Sequence, residues 1–552
     1  MGTETSDVVF SWPQENVVPE WSCGSLYLDD PVLRAAVARH KCGWAEDTLR
    51  AEGQRLADPS WRALAREADL VPPRLERYDS RGRRIDRLVF HPAWHALQGS
   101  CVEAGLHIPA GAGARKGSSV ARAALYLLHG RIDAATLCPT TMTYAAIPLL
   151  EREDTLWRAV GGALGGRTYD PSERPLAGKT SGLVGMGLTE IQGGSDLRRV
   201  TTRATPVGRS DGSRLYRLSG RKWFFSAPQS DAHLVLARDG QDRFGCYCVP
   251  RVLPDGSRNT IFLERLKDKV GNRGNATAEA VFENAWAYRL GEPGRGLALL
   301  MEMAGTTRLD NVLGSAALLR QGLTEAVHYT RARMAFGRRL VDQPLMVSVL
   351  ADLALESASA TSLGVALARL SEGTDPLDVV ARRLLVPAAK FWVCKRTVSA
   401  LAECAEILGG NGYVEESALA RFYREAPVNS IWEGSGNVVC LDVLRTLRVY
   451  PEESRALFAD WERRSGGDPG LRRAVHDLVR LAYDAVAEPA LARLLSARLV
   501  LVAQAFELRT ILDGDLYPSF LRSRLDHASW GSVAGLTPQV GEGERILDRT
   551  FL

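Results

Sequence analysis

Within the segment Arg424–Arg445, REAPVNSIWEGSGNVVCLDVLR, Glu433 is the residue best placed to do chemistry. Ile431 and Trp432 precede it, and Gly434, Ser435 and Gly436 follow. An apolar flank raises the pKa of a carboxylate and glycines open access for a substrate, so this glutamate suits a general base. Four other segments offer binding chemistry. GMGLTEIQGGSD, Gly185–Asp196, brings hydroxyls at Thr189 and Ser195, and its Gly193 and Gly194 permit backbone angles that aim amides at an anion. GRKWFFSAPQSDA, Gly220–Ala232, places three aromatics and then a serine on one strand, a flat apolar wall with a polar tip that a planar cofactor needs. In RARMAFGRRLVDQPL, Arg331–Leu345, Arg333 can grip a phosphate through two parallel hydrogen bonds. In AEILGGNGY, Ala405–Tyr413, the glycines 409, 410 and 412 let a ligand or partner backbone come close. Each segment alone also has a plainer reading: a surface glutamate, a loop, core aromatics, a solvated basic helix end, a glycine helix stop.

These residues need elements to hold them. At 552 residues the chain is too long for one core, and three or four domains or layers are expected. Residues 1–184 mix irregular stretches with helical patterns, and the spacing in Val120–Pro139 predicts a helix ending at its proline. Residues 185–293 change to short β-rich runs between turn signals at Asp211-Gly212, Asp239-Gly240 and Pro254-Asp255-Gly256, which predicts an antiparallel barrel or sandwich. Residues 294–448 return to long helical runs: one from Gly296 to the RARMAFG segment, one over Leu345–Ser371, one from near Pro387 to the stop at Gly409-Gly410. Long helices with short connections read as a bundle. Residues 449–552 hold at least two more helices, the clearest over about Ala485–Leu512. The fold class is therefore multidomain α+β.

Composition narrows the function. Hydrophobic content of 45% and charged content of 24% are ordinary for a globular protein. No apolar run suggests a transmembrane helix, and no basic segment followed by an apolar core marks a secretory signal. The opening MGTETS fits the loose myristoylation pattern at Gly2 and Ser6, one that short sequences meet by chance. Nine scattered cysteines without a CxxC pair point to reduced thiols and a cytoplasmic protein, and Cys246 and Cys248 fall on one side of a strand. His91 and His95 in HPAWH lack a partner cluster, so no metal site is expected. The net charge of +4 makes no global case for nucleic acid. Basic residues are overwhelmingly arginine, with eight lysines, a bias that reads as coding preference rather than chemistry.

Together and in this order, these motifs resemble the acyl-CoA dehydrogenase family. The likeness is closest to its AidB-type branch, through SLYLDD, RYDSRGRRID, FHPAWH, LCPTTMTYAA, KWFFSAPQSDAHLVLA, LERLKDKVGNR and PVNSIWEGSGN. The resemblance implies an N-terminal helical domain, a central antiparallel β-domain, a helical bundle and an extra C-terminal helical domain. It implies FAD between the β-domain and the bundle, lined by Met186 to Ser195, with Thr189 near the flavin and Gly194 in the same loop. Phe224 and Ser226 match the aromatic and hydroxyl that face the flavin ring. Arg333 and Phe336, with Gly409 and Gly410, match elements that reach the FAD of a neighbouring subunit, which implies a homotetramer. Trp432, Gly434, Ser435 and Asn437 would close the site, and Glu433 matches the base that takes the proton beside a thioester carbonyl.

The sequence also departs from the family. WEGS stands where YEGT is usual, and Glu406 stands where a glutamine often precedes the paired glycines. Arg424 and Trp432 could narrow the substrate entrance. The resemblance leaves the acyl carrier open, CoA or a carrier protein, and likewise the electron acceptor. Two other readings stay in play. One is a DNA-associated flavoprotein of the alkylation response. From Thr446 to Leu552 the chain has 14 arginines, no lysine and 15 acidic residues, a net charge of −1, which does not favour DNA although Arg463, Arg464, Arg472 and Arg473 could form a local patch. The other is a flavin oxidase or monooxygenase acting on a small nitrogen compound.

Overall fold

A computed structural model describes residues 15–111, 113–210, 213–526 and 541–551; Gly2, Ser6 and the Asp211-Gly212 turn lie outside them. The N-terminal part holds helices α1 (Pro31–Arg39), α2 (Glu46–Ala57) and α3 (Pro59–Leu70), a hairpin of β1 (Arg74–Tyr78) and β2 (Arg84–Val89), and then α4 (Pro92–Glu103), α5 (Ser118–Gly130), α6 (Leu137–Leu150) and α7 (Asp154–Leu164). Helices α1, α3 and α4 start alike: the side chain of Asp30, Asp58 or His91 accepts a backbone N–H of the first turn, and a proline follows the cap. The helix expected over Val120–Pro139 is two helices. Asp133 accepts from the Thr136 N–H and hydroxyl, both at 2.8 Å, and holds a turn between them. Pro139 then falls in the first turn of α6, where its missing N–H costs nothing.

The β-domain comprises β3 (Val184–Gly187), β4 (Arg203–Ser210), β5 (Ser213–Ser226), β6 (Ala232–Arg238), β7 (Phe244–Pro250), β8 (Ile261–Leu266) and β9 (Thr277–Leu290). Pairing runs β6–β4–β5–β9–β7 and returns from β7 to β6, which closes a barrel; β3 adds beside β6 and β8 beside β9. Most ladders are antiparallel, as expected, but β3 and β4 each pair with β6 in parallel. Phe225, Tyr247 and Phe282 fill the barrel. Because side chains alternate along a strand, the neighbouring Phe224 points out and is 52% exposed. Cys246 and Cys248 do share a buried face of β7.

The bundle follows: α8 (Gly296–Ala332), a two-residue hairpin of β10 (Met334–Ala335) and β11 (Arg338–Arg339), α9 (Pro344–Glu372), α10 (Pro376–Ile407), α11 (Ala418–Ile431) and α12 (Gly436–Val449). Helix α9 falls where expected. Helix α10 begins well before Pro387, because Asp375 caps the Leu377 and Asp378 N–H groups and Pro376 opens the helix. Helix α9 also corrects the expectation of no membrane-length helix: by length and composition it is long and apolar enough, but 94% of its apolar window is buried inside the protein. The tail adds α13 (Pro451–Arg464), α14 (Pro469–Ala487), α15 (Ala492–Leu508), α16 (Tyr517–Phe520) and α17 (Gly543–Thr550). The single helix expected over Ala485–Leu512 is interrupted at Glu488-Pro489, where the Glu488 side chain accepts from Ala490 N–H and starts a new turn.

The barrel keeps a core of its own, but the helical regions share one. Leu49 of α2, Leu313 of α8, Leu355 of α9, Val393 of α10 and Leu499 of α15 belong to one hydrophobic cluster. The tail is pinned to it by Arg524, 1% exposed, which pairs with Asp352 and Glu356 of α9.

Candidate active site

Glu433 lies in the short loop between α11 and α12, with φ of +59°. That left-handed angle is uncommon for a residue with a side chain, and such strain persists only where the surroundings impose it. Here Arg308 Nε donates to the Glu433 carbonyl at 2.8 Å, and Lys390 donates to the Gly434 carbonyl. Arg308 is itself aimed by Asp442 at 2.6 Å. The Thr307 hydroxyl donates to carboxylate Oε2 at 2.7 Å. Burial pushes the Glu433 carboxyl above the usual range, against the pull of Thr307, Arg308 and Lys390. The same burial pushes Lys390 down to about 8. Two faces of the loop are fixed and one carboxylate oxygen, Oε1, is left to take a proton.

The glycine-rich loop and the aromatic strand come together on the barrel wall. The Thr189 carbonyl accepts from Trp223 N–H at 2.9 Å, which sets the loop beside Phe224. A Cβ on Gly194 would meet the Thr189 hydroxyl at 2.7 Å, so that glycine gives Thr189 its place. Met186 lies on β3, half-buried, and Ser195 is exposed at the loop's end. Ser226 closes β5, 3.4 Å from the Thr277 hydroxyl.

Beneath the loop is a group that the sequence did not advertise. Glu190 receives Lys222 Nζ at 2.8 Å, with both side chains at 2% exposure or less. Thr201 and Thr202 add backbone and hydroxyl donors to the same carboxylate. These donors hold Glu190 well below the usual carboxylate range.

Arg333, Gly409 and Gly410 line one cavity of about 440 Å³ with Tyr329, Ala335, Leu340 and Glu406. A Cβ at Gly409 or Gly410 would meet nothing within 4 Å. Arg333 also donates to the Asn16 carbonyl at 2.6 Å, so its guanidinium is already partly engaged. Phe336 and Gly337 form the tip of the β10–β11 hairpin, both with positive φ, as a two-residue turn of this hand requires. Phe336 is 96% exposed there. This cavity lies far from Glu433. Thr307 and Arg333 are 26 residues apart on one helix and its cap, about 39 Å along the axis.

The remaining expected residues are placed as follows. Trp432 Nε1 donates to Asn429 Oδ1 at 3.1 Å, capping the end of α11. Ser435 begins α12 without a side-chain cap bond, and Asn437 accepts from Arg493 of α15 at 2.9 Å. Arg424 is bound by Asp69 of α3 and by Glu415. In the suggested basic patch, Arg463 and Arg464 both pair with Asp460 and Arg473 pairs with Asp526. His91 caps α4, and His95 meets the Tyr169 hydroxyl at 2.8 Å.

Lysines gather at this site. Lys222 lies under the glycine-rich loop and Lys390 at the Glu433 corner. Lys267 lies over the Trp223 ring at 3.3 Å, Lys269 bonds Thr277, and Lys395 bonds Ser430 of α11. Five of the chain's eight lysines therefore surround the barrel wall and the Glu433 loop, while Lys41 and Lys116 stand exposed elsewhere.

The residues fit a large planar cofactor. An outward phenylalanine, neighbouring hydroxyls and glycines with open space at Gly193, Gly409 and Gly410 offer the surface such a group needs. Comparison with known proteins agrees. Residues 16–171 match the adaptive response protein AidB N-terminal domain, 185–285 the acyl-CoA dehydrogenase middle domain and 294–448 its C-terminal domain. The chain is 48% identical over 457 residues to the putative acyl-CoA dehydrogenase AidB of Escherichia coli, covering 82% of this chain and 84% of that one. The chain belongs to the acyl-CoA dehydrogenase family, in its AidB-type branch. Acyl-CoA dehydrogenase family member 11 of Caenorhabditis elegans is 32% identical over 76% of this chain and 70% of its own length. The structure of Caenorhabditis elegans ACDH-11 in complex with C11-CoA superposes with a TM-score of 0.84 at 24% identity over 99% of both chains, so the fold is shared through the tail. Enzymes of this family are FAD-dependent oxidoreductases acting on CH–CH groups.

Proposed function

We propose that this chain desaturates an acyl thioester between the carbons α and β to its carbonyl, with FAD as cofactor and Glu433 as base. The observation that carries the reading is the Glu433 corner: a strained carboxylate, clamped by Thr307, Arg308 and Lys390 and left with one oxygen to accept a proton. The Thr189–Phe224–Ser226 wall would hold FAD, which would supply the hydride acceptor. Thr307 keeps Oε2 bonded, so the α-proton goes to Oε1. The raised pKa makes Glu433 a stronger base than a solvated carboxylate once it is ionised. Arg308 and Lys390 hold the backbone, so the carboxylate does not swing away as charge develops. The carrier is CoA in the simplest reading.

The distance between the Glu433 corner and the Arg333–Gly409–Gly410 cavity supports an oligomer in which that cavity receives the cofactor of a neighbouring copy. The exposed Phe336 beside it supports the same arrangement, and a homotetramer is the form we propose. Nine unpaired cysteines, seven of them buried, support a reducing cytoplasmic setting.

The test is anaerobic titration of the yellow protein with a panel of acyl-CoAs. Flavin bleaching by some of them, lost in Glu433→Gln with FAD still bound, is the expected result. Bleaching that persists unchanged in the variant removes Glu433 from its role.

A further inference from the structure

Residues 15–21 form a strap, mostly exposed, that the chemistry above does not use. Polar pegs hold it along the C-terminal half of α8. Asn16 makes three bonds where that helix ends. Its side-chain oxygen accepts from Met334 N–H at 2.6 Å, its side-chain amide donates to the Met334 carbonyl at 2.9 Å, and its own carbonyl accepts from Arg333 Nη1 at 2.6 Å. Further down the helix, His328 Nε2–H donates to the Pro19 carbonyl at 2.8 Å. Arg62 of α3 takes the far end: it donates to the Trp21 carbonyl at 2.7 Å and lies over the Trp21 ring at 4.8 Å. The lengths agree. His328 and Met334 are about 9 Å apart at helical rise, and the extended chain from Asn16 to Pro19 reaches about 10 Å.

Met334 begins β10, so Asn16 grips the hairpin that carries Phe336. With one amide it bonds both polar groups of a single backbone residue, as a neighbouring strand would. The hairpin needs that grip. Its strands are two residues long, and so short a ribbon is not stable alone. Its tip adds no packing, because Phe336 stands in solvent with φ of +52°. Gln343 adds one bond, from Nε2 to the Ala335 carbonyl at 3.1 Å. Asn16 itself has φ of +60°, a left-handed angle that asparagine tolerates better than most residues with a side chain. The Asn16 carbonyl takes one N–H of the Arg333 guanidinium, which has five, and leaves the rest of the fork for the cavity that Arg333 lines.

We propose that Asn16 is a positioning residue for phosphate binding: it fixes Arg333 and the hairpin beside the cavity of about 440 Å³, so the strap sets how firmly one copy of the chain holds the cofactor phosphate of its neighbour. This inference rests on the shared-cofactor reading above, and its test separates the two.

Asn16→Gly keeps the backbone angle and the carbonyl and removes the amide. Asn16→Asp returns the acceptor for Met334 N–H. Each variant is read in three ways: hydrogen exchange of peptides spanning Arg333 to Arg339, the Kd for FAD from flavin fluorescence, and the melting temperature of the apoprotein. Asn16→Gly is expected to speed exchange in the hairpin and to raise the Kd by roughly tenfold to thirtyfold, the change that two neutral hydrogen bonds give. Its melting temperature stays at the native value, because Asn16 is exposed. Asn16→Asp recovers part of the exchange protection. Arg333→Met is the reference for the cavity and is expected to weaken FAD binding at least as much. If exchange speeds up in Asn16→Gly while every variant, Arg333→Met included, holds FAD as the native protein does, the grip on the hairpin stands and the shared-cofactor reading falls. Unchanged exchange in Asn16→Gly, or FAD weakened by Arg333→Met alone, overturns the role of Asn16. A melting temperature that falls in step with FAD affinity also overturns it, since that marks a general loss of structure.

Discussion

Thr307→Val removes the one side-chain donor to the Glu433 carboxylate while keeping the shape of the side chain. In the native protein the hydroxyl has two acceptors, Oε2 of Glu433 at 2.7 Å and the Ala304 carbonyl at 3.1 Å. When Glu433 is ionised, the charged oxygen takes the proton; when it is neutral, the hydroxyl can turn to Ala304. The bond therefore favours the charged form selectively. A hydrogen bond to a charged group contributes about 1.5–3 kcal/mol, which is about one to two pKa units. Glu433 is already raised by burial, and the variant raises it further. Because the ionised form is the base, the rate of anaerobic flavin reduction by an acyl thioester climbs with pH through this pKa. The climb should move up by about one to two units in the variant, with rates converging well above it. Stability follows the same logic. A carboxyl with a folded pKa above its unfolded value binds its proton more tightly when folded, so stability declines as pH rises through the window between the two. The valine variant should fall behind the native protein across that rise and match it more closely below. A rate profile that keeps its position in a variant with full FAD content would refute the hydrogen-bonding argument.

Two further outcomes follow from the cofactor wall and the distant cavity. Lys222→Met strands the Glu190 carboxylate in the interior and should reduce unfolding free energy by about 3–5 kcal/mol in urea melts, with loss of bound FAD, because breaking one member of a buried pair leaves the other uncompensated. Gly410→Ala has open space around the added methyl and no positive φ to oppose it, so the unfolding free energy of the apoprotein should change by less than about 0.5 kcal/mol. The same change should weaken FAD retention on dialysis if that cavity holds part of a cofactor, and unchanged retention counts against the shared-cofactor arrangement.

The parts of the site written in one stretch of sequence were legible. Glu433 with its glycines, the loop around Thr189 and the KWFFS strand announce themselves by local composition, but the wall of three aromatics expected from that strand is corrected by strand alternation, which turns Phe225 into the barrel and leaves Phe224 facing out. What clamps those residues was not legible. Thr307, Arg308 and Lys390 reach the loop from 126, 125 and 44 residues away, and on a long helix a threonine, an arginine or a lysine reads as ordinary surface. Glu190 was inside a recognised motif, yet its partner Lys222 belongs to another, and only the barrel ladder joins them. Helix ends failed for a different reason. Pro387 and Pro139 looked like boundaries, but a strong cap at Asp375 and a turn at Asp133 set the true ones. The tail was readable as helices and unreadable as a separate unit, because its apolar face completes the bundle core.

The scarcity of lysine first looked like an accident of base composition. Its concentration around the barrel wall gives the protein a built-in reporter. A reagent that acylates amines, applied to the folded chain, has few targets outside this region, and Lys41 and Lys116 serve as internal references for full exposure. Peptide mass mapping of Lys267 and Lys269 would then register occupancy of the wall directly, with protection rising as cofactor or thioester fills it, and without any turnover being measured.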